Sequence, residues 1–164
     1  MRRQLVASIL AILLAACGGM LPSIVEGLPV EIGGEPLEDR PIAAGELGAA
    51  LAAENLPRDA ATGHEARWGD ETRLVILTFE NLGLEEASRV SRSILAIGEV
   101  EAQIGVVGTQ TAFELTGTGI PGVAYEVTKT GDDGEMVMYT FLAPTEAEAA
   151  TIGDAIVELH PSDE

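Results

Sequence analysis

The run Arg73-Leu-Val-Ile-Leu-Thr-Phe79 constrains the fold of this chain more than any other stretch. Its apolar residues do not alternate, so as a strand it is apolar on both faces. Such a strand belongs in the middle of a sheet, with helices over one side and something else apolar over the other. Before it, Leu47, Ala50 and Leu51 fall at helical spacing in a segment that runs from Glu46 to near Asn55, ahead of Pro57. A short segment, Glu65–Trp68, then leads into the turn Gly69-Asp70. After it, Leu84–Ile97 reads as an amphipathic helix: Leu84, Ala87, Val90, Ile94 and Ile97 form a stripe, and Glu85, Glu86, Arg89 and Arg92 point away from it. Glu85 and Arg89 are a favourable i,i+4 pair, and Gly98 is expected to end the helix.

The second half changes period from 3.6 to 2. Phe113 and Leu115 flank Glu114; Val123, Tyr125 and Val127 alternate with Glu126 and Thr128; Val137, Tyr139 and Phe141 alternate with Met138 and Thr140. Thr130-Gly-Asp-Asp-Gly134 joins the last two strands as a hairpin, and Pro144 stops the final one. Thr145 and Glu148 have the spacing of a capping box for a closing helix through Leu159, which Ile152, Ile156 and Leu159 would dock on the sheet. Three or four strands are expected after the helix Leu84–Ile97, and counting two early strands the order is roughly αββαββββα: an α+β domain, mainly antiparallel sheet with flanking helices.

The N-terminus carries an address. Arg2 and Arg3 precede the apolar run Leu5–Ala16, broken only by Ser8, which is the layout of a secretory signal. A membrane-spanning helix needs about 20 apolar residues, and this run is shorter and meets Gly18 and Gly19. Leu14-Ala15-Ala16-Cys17 resembles the bacterial lipobox. That resemblance implies cleavage before Cys17, a diacylglyceryl group on its sulfur, and a mature protein held by acyl chains outside the cytoplasm. Cys17 is the only cysteine, and lipidation accounts for a lone secreted thiol. Glycine rather than aspartate after Cys17 favours the outer membrane in a Gram-negative cell.

Three segments follow: residues 1–16 as signal peptide, 17–44 as lipidated cysteine and flexible linker, and 45–164 as the folded domain. Pro22, Pro29, Pro36 and Pro41 with five glycines mark the linker, which shows no sustained periodicity. As a flexible coil its 27 residues after Cys17 would reach roughly 29 Å. Cleavage leaves 148 residues with 7 basic and 27 acidic side chains, a net charge of −20. That balance argues against nucleic acid and against close adhesion to anionic headgroups, and leaves a basic or neutral surface as the favoured partner.

The helix Leu84–Ile97, the glycine-led strand Gly108-Thr-Gln-Thr-Ala-Phe113, a hairpin and Ala143-Pro144-Thr145-Glu146 before a last helix together resemble the PsbP-like and DcrB-like lipoproteins. The resemblance covers about residues 65 to 160, is one of element order, and implies an antiparallel sheet between helices with a non-catalytic accessory or binding role at a membrane. No functional residue carries over from it.

Candidate chemistry is sparse. Gly117-Thr-Gly-Ile-Pro-Gly122 matches a dinucleotide fingerprint by letters, but an alternating strand follows where a helix is needed to face the phosphates. Asp132, Asp133 and Glu135 sit at a hairpin tip without calcium-loop spacing. His64 and His160 lack neighbours at metal-ligand spacing and suit surface or cap positions. Ser88, Ser91, Ser93 and Ser162 have no nucleophile elbow around them. Tyr125, Tyr139, Phe141 and Trp68 read as core. The expectation is a non-enzymatic envelope lipoprotein with no cofactor, anchored through Cys17, whose domain binds another envelope protein or stabilises an assembly. The alternatives are a tethered module for a small or lipophilic ligand, motivated by the run Leu74–Phe79, and a hydrolase using paired carboxylates.

Overall fold

The central strand is where its composition requires. In the computed structural model, which describes residues 25–131 and 134–160, Thr72–Phe79 (β4) lies inside one eight-stranded antiparallel sheet. Leu74 and Ile76 enter one core cluster and Val75, Leu77 and Phe79 the other, so the two faces of one strand nucleate two cores. At about 25 cal/mol per Å2 of buried apolar surface, each of these side chains contributes about 1.5–3 kcal/mol.

In chain order the elements are β1 (Glu31–Ile32), β2 (Glu35–Pro41), α1 (Ala44–Ala53), β3 (Thr62–Trp68), β4, α2 (Leu84–Ile94), β5 (Val100–Val107), β6 (Gln110–Gly117), β7 (Val123–Thr130), β8 (Met136–Ala143) and α3 (Glu146–Leu159). Spatially the strands run β1-β2-β3-β4-β8-β7-β6-β5. Helices α1 and α2 cover the face that carries Val75 and Leu77, with Leu47, Ala50, Leu51, Ala87, Val90 and Ile94 buried there. Helix α3 covers the opposite face through Ala149, Ile152 and Ile156. Trp68, Tyr125, Tyr139 and Phe141 are all buried on the α3 side, as core residues.

The fold is α+β, dominated by antiparallel sheet with helices, in an element order roughly as expected, and two strands precede the first helix. The linker reading of 17–44 is therefore corrected from Val25 onward. Val25, Leu28, Ile32 and Ile42 are buried, β2 pairs with β3 from Leu37↔Trp68 to Pro41↔His64, and the Trp68 indole donates to the Pro29 carbonyl at 2.8 Å. The prolines are compatible with a strand here because β2 lies next to the sheet edge, where β1 pairs only its first two residues. Gly33 and Gly34, both at positive φ (61° and 87°), form the two-residue hairpin turn that only such residues make readily.

Two local details also differ. Helix α2 ends at Ile94, and the left-handed residue that closes it is Ala96 (φ 57°), ahead of the expected Gly98. Ile97 N–H donates to the Arg92 carbonyl and Ala96 N–H to that of Ser93, which is the hydrogen-bond pattern of a Schellman cap. At α3 the Glu148 amide donates to Thr145 Oγ1 (3.3 Å), while the Glu148 carboxylate accepts from Thr72 Oγ1 (3.1 Å) and so ties the helix to β4.

Candidate functional site

The outer strands are where cover runs out. Helix α2 rests on β4 and β8, and α3 lies under β5 to β8 on the other face; on the α2 side Leu115 of β6 is buried and Val100 of β5 packs against that core, and beyond them β5 and β6 are open. Alternation along β5 points Ala102, Ile104 and Val106 to that side, and on β6 Phe113 pairs directly with Ile104. Ile104 is 80 % exposed, Val106 68 % and Phe113 48 %. Strand β5 is also the end of the sheet, so its outward amides and carbonyls have no neighbouring strand among the described residues.

The two edges of the sheet are built differently. At the β1–β2 end the edge is two residues long and backed by Glu35, Pro36, Glu38, Asp39, Arg40 and Pro41, the charges and prolines that discourage pairing. The eight residues of β5 hold no proline and one charge, Glu101. The α3 side of the same edge is acidic, with Glu114 paired directly opposite Gln103 and Glu101 two residues along β5, both exposed. Their field reaches the core: the Tyr125 hydroxyl is pushed up first by burial and then by the negative charges of Glu114 and Glu146.

A polar strut bounds the open face on its inner side. Glu126 of β7 is buried beneath α2 and accepts from Ser88 Oγ at 2.8 and 2.7 Å, with the Arg92 guanidinium at 3.7 Å. Ser91 and Thr140 share a 2.7 Å hydrogen bond alongside. Burial raises the Glu126 carboxyl above its ordinary range, and the Ser88 hydrogen bond and the Arg92 charge offset this only in part. Every link joins α2 to β7 or β8, so Arg92, expected on the solvent side, is instead part of the attachment of the helix.

A second buried carboxylate holds the other half of the same face. Glu65 of β3 has no exposed side-chain surface and accepts from Arg67 (2.8 Å), Arg73 (2.6 and 3.0 Å) and Arg40. Burial pushes its carboxyl up, but hydrogen bonds from Arg73 and Arg67 dominate and hold it below the usual range. Arg73 also reaches the Ile94 carbonyl at 3.4 Å, bracing the last turn of α2. Sequence reading passed over this hub. Its one signal is a glutamate in an otherwise half-buried strand, with an arginine two residues on and therefore on the same face.

The remaining sequence candidates scatter. Leu14, Ala15, Ala16 and Cys17 lie outside the described residues, as do Asp132, Asp133 and Ser162. Gly117–Gly122 connects β6 to β7, with a strand after it as expected, and borders a cleft of about 460 Å3 with Arg73 and the end of α2. Glu135 lines a cleft of about 630 Å3 at the other end of the sheet. His64 lies on β3 with a buried Nδ1 that has no hydrogen-bond partner, and His160 caps α3 and contacts Tyr139 Oη at 2.6 Å. Among the described residues no three His, Cys, Asp or Glu side chains are grouped to hold a metal ion, and no helix is long and apolar enough to cross a membrane.

Fold and site together define a class: an α+β domain with one antiparallel sheet between helices, blunted at one edge and open at the other. No protein-family model matches the chain, and neither the curated proteins nor the solved structures contain a match to it.

Proposed function

We propose that this chain is a bacterial envelope lipoprotein, held outside the cytoplasm by acyl chains on Cys17, whose α+β domain is a non-catalytic docking module for another envelope protein. The observation that carries the anchor is Leu14-Ala15-Ala16-Cys17, placed after a basic pair and a short apolar run and containing the only cysteine. The docking role is supported by the open face of β5 and β6, where three large apolar side chains stand in solvent. An outer-membrane location and kinship with the PsbP-like and DcrB-like lipoproteins, at the level of element order, belong to the same proposal.

The test is a photo-crosslinking benzoylphenylalanine placed at Phe113 in intact cells, with Val30, 81 % exposed near the opposite edge, as the control position. The docking reading expects a discrete adduct to an envelope protein from position 113 and none from position 30. Absence of any adduct from position 113 would overturn it.

A further inference from the structure

We propose that the free edge of β5 binds an extended peptide segment alternating basic and apolar residues, which joins the sheet as a ninth strand. The proposal rests on the docking reading above and names the chemistry of the partner.

A strand laid against β5 sends alternate side chains to the two faces of the sheet. On the α2 side they meet Ala102, Ile104 and Val106, with Phe113 one strand further in; on the α3 side they meet Glu101 and Gln103, with Glu114 behind. One face of the edge is thus apolar and exposed and the other acidic, and a segment alternating apolar with lysine or arginine satisfies both. No lysine or arginine occurs between Arg92 and Lys129, whereas Glu99, Glu101 and Glu114 do, so this part of the chain leaves a basic partner unopposed. The edge supplies the rest: about half of the eight residues of β5 turn their N–H and C=O outward, in position for an antiparallel or parallel ladder.

A second copy of the chain fits less well. Its own β5 brings Glu101 and no basic group, and it adds another chain of formal charge −18 to the first. Anionic lipid is disfavoured by the same charges. Attraction of this kind steers association and fades as salt rises.

The experiment uses the full-length chain in phosphatidylcholine nanodiscs and three fluorescein-labelled octapeptide probes read by anisotropy. The first alternates lysine and isoleucine, the second is its block isomer, and the third is the alternating peptide N-methylated at every second residue. Strand addition expects the alternating peptide to bind about tenfold more tightly than either other probe, because only it offers both the pattern and the amides. Ile104→Ser and Val106→Ser, at positions already in solvent, are each expected to weaken it about fivefold, and the double variant Glu101→Gln, Glu114→Gln to flatten its salt dependence. Equal binding of the three probes overturns the proposal, as does binding unchanged by Ile104→Ser and Val106→Ser. A peptide-free sample of twice the protein mass that Ile104→Ser returns to one copy also overturns it, since a second chain then covers the edge. If position 113 still yields its cellular adduct in any of these cases, the docking face stands and strand addition by a basic segment fails.

Discussion

Ala96 adopts φ 57° at the end of α2, a conformation that costs an L-residue about 1 kcal/mol and glycine almost nothing. The residue is exposed, so Ala96→Gly gives up no packing and is expected to raise unfolding stability by about 0.5–1 kcal/mol, read as a higher urea midpoint at unchanged slope. The reverse exchange at Gly153 has the opposite sign. A Cβ there would come within 2.6 Å of the Val107 carbonyl oxygen, so Gly153→Ala is expected to force α3 off β5 at a cost of about 1–3 kcal/mol, despite the better helix propensity of alanine. The buried carboxylates also differ in sign. Glu65 is held below its ordinary value of 4.5, so its stabilising contribution is complete above pH 4.5 and disappears as pH falls through the lower folded value. Glu126 is raised above 4.5, so its ionisation opposes folding above the folded value, and the penalty is relieved as pH falls towards 4.5. At pH 7, Glu65→Gln is therefore expected to lose about 2 kcal/mol, less than a fully enclosed pair would because Arg40 and Arg67 reach solvent, while Glu126→Gln is expected to gain stability relative to the parent. Urea titrations of both variants from pH 7 down to pH 4 check this: both differences from the parent should shrink with acid, from opposite sides.

At the scale of elements, what the sequence made legible were the segments whose side chains carry a strong period. Helices α1 and α2, the double-faced β4, the alternating β6, β7 and β8, and the capped α3 each read directly, since burial of one face or of both writes itself into the residue order. Strands β1 and β2 did not, because an edge strand is free to be charged and to contain proline, and Glu35-Pro-Leu-Glu-Asp-Arg-Pro41 looks the same as a linker until β3 lies beside it. The open face escaped for the converse reason. Val100, Ala102, Ile104 and Val106 alternate like any half-buried strand, and only the lateral reach of α2 decides that the face stays uncovered beyond Val100. The early strands carry weight: removing residues 1–44 takes away Val25, Leu28, Ile32 and Ile42, the Pro29 partner of Trp68 and the Arg40 partner of Glu65. At about 1.5–3 kcal/mol per buried apolar side chain, that loss approaches the whole stability of a domain this size. The truncated chain is expected to unfold without a cooperative thermal transition by circular dichroism, whereas a chain beginning at Cys17 retains one.

At the scale of the whole molecule, the described domain begins closer to Cys17, the proposed anchor, than composition implied. Val25 is already buried, so a tether from the proposed anchor at Cys17 could span at most eight residues, about 28 Å fully extended, in place of the 27 residues expected from composition. If the proposed cleavage and lipidation at Cys17 hold, a mature chain of net charge −20 on so short a tether would stay near the headgroups yet be repelled by anionic ones, which would leave the acyl chains to hold it there. Two or three acyl chains would suffice for that, at about 0.8 kcal/mol per buried methylene, where a single chain gives only marginal binding. Everything in this proposed arrangement depends on one sulfur atom. Cys17→Ser removes the thioether acceptor while leaving the basic pair and the apolar run intact, so export is expected to proceed and lipid transfer to stop. The parent protein, extracted from membranes with detergent, should then give an intact mass beginning at Cys17 plus its acyl chains, and the variant the mass of the uncleaved precursor with no incorporation of labelled fatty acid. An unmodified parent mass in the soluble fraction would mean that the sequence Leu14-Ala15-Ala16-Cys17 is not processed as a lipobox, and would release the docking face from any membrane.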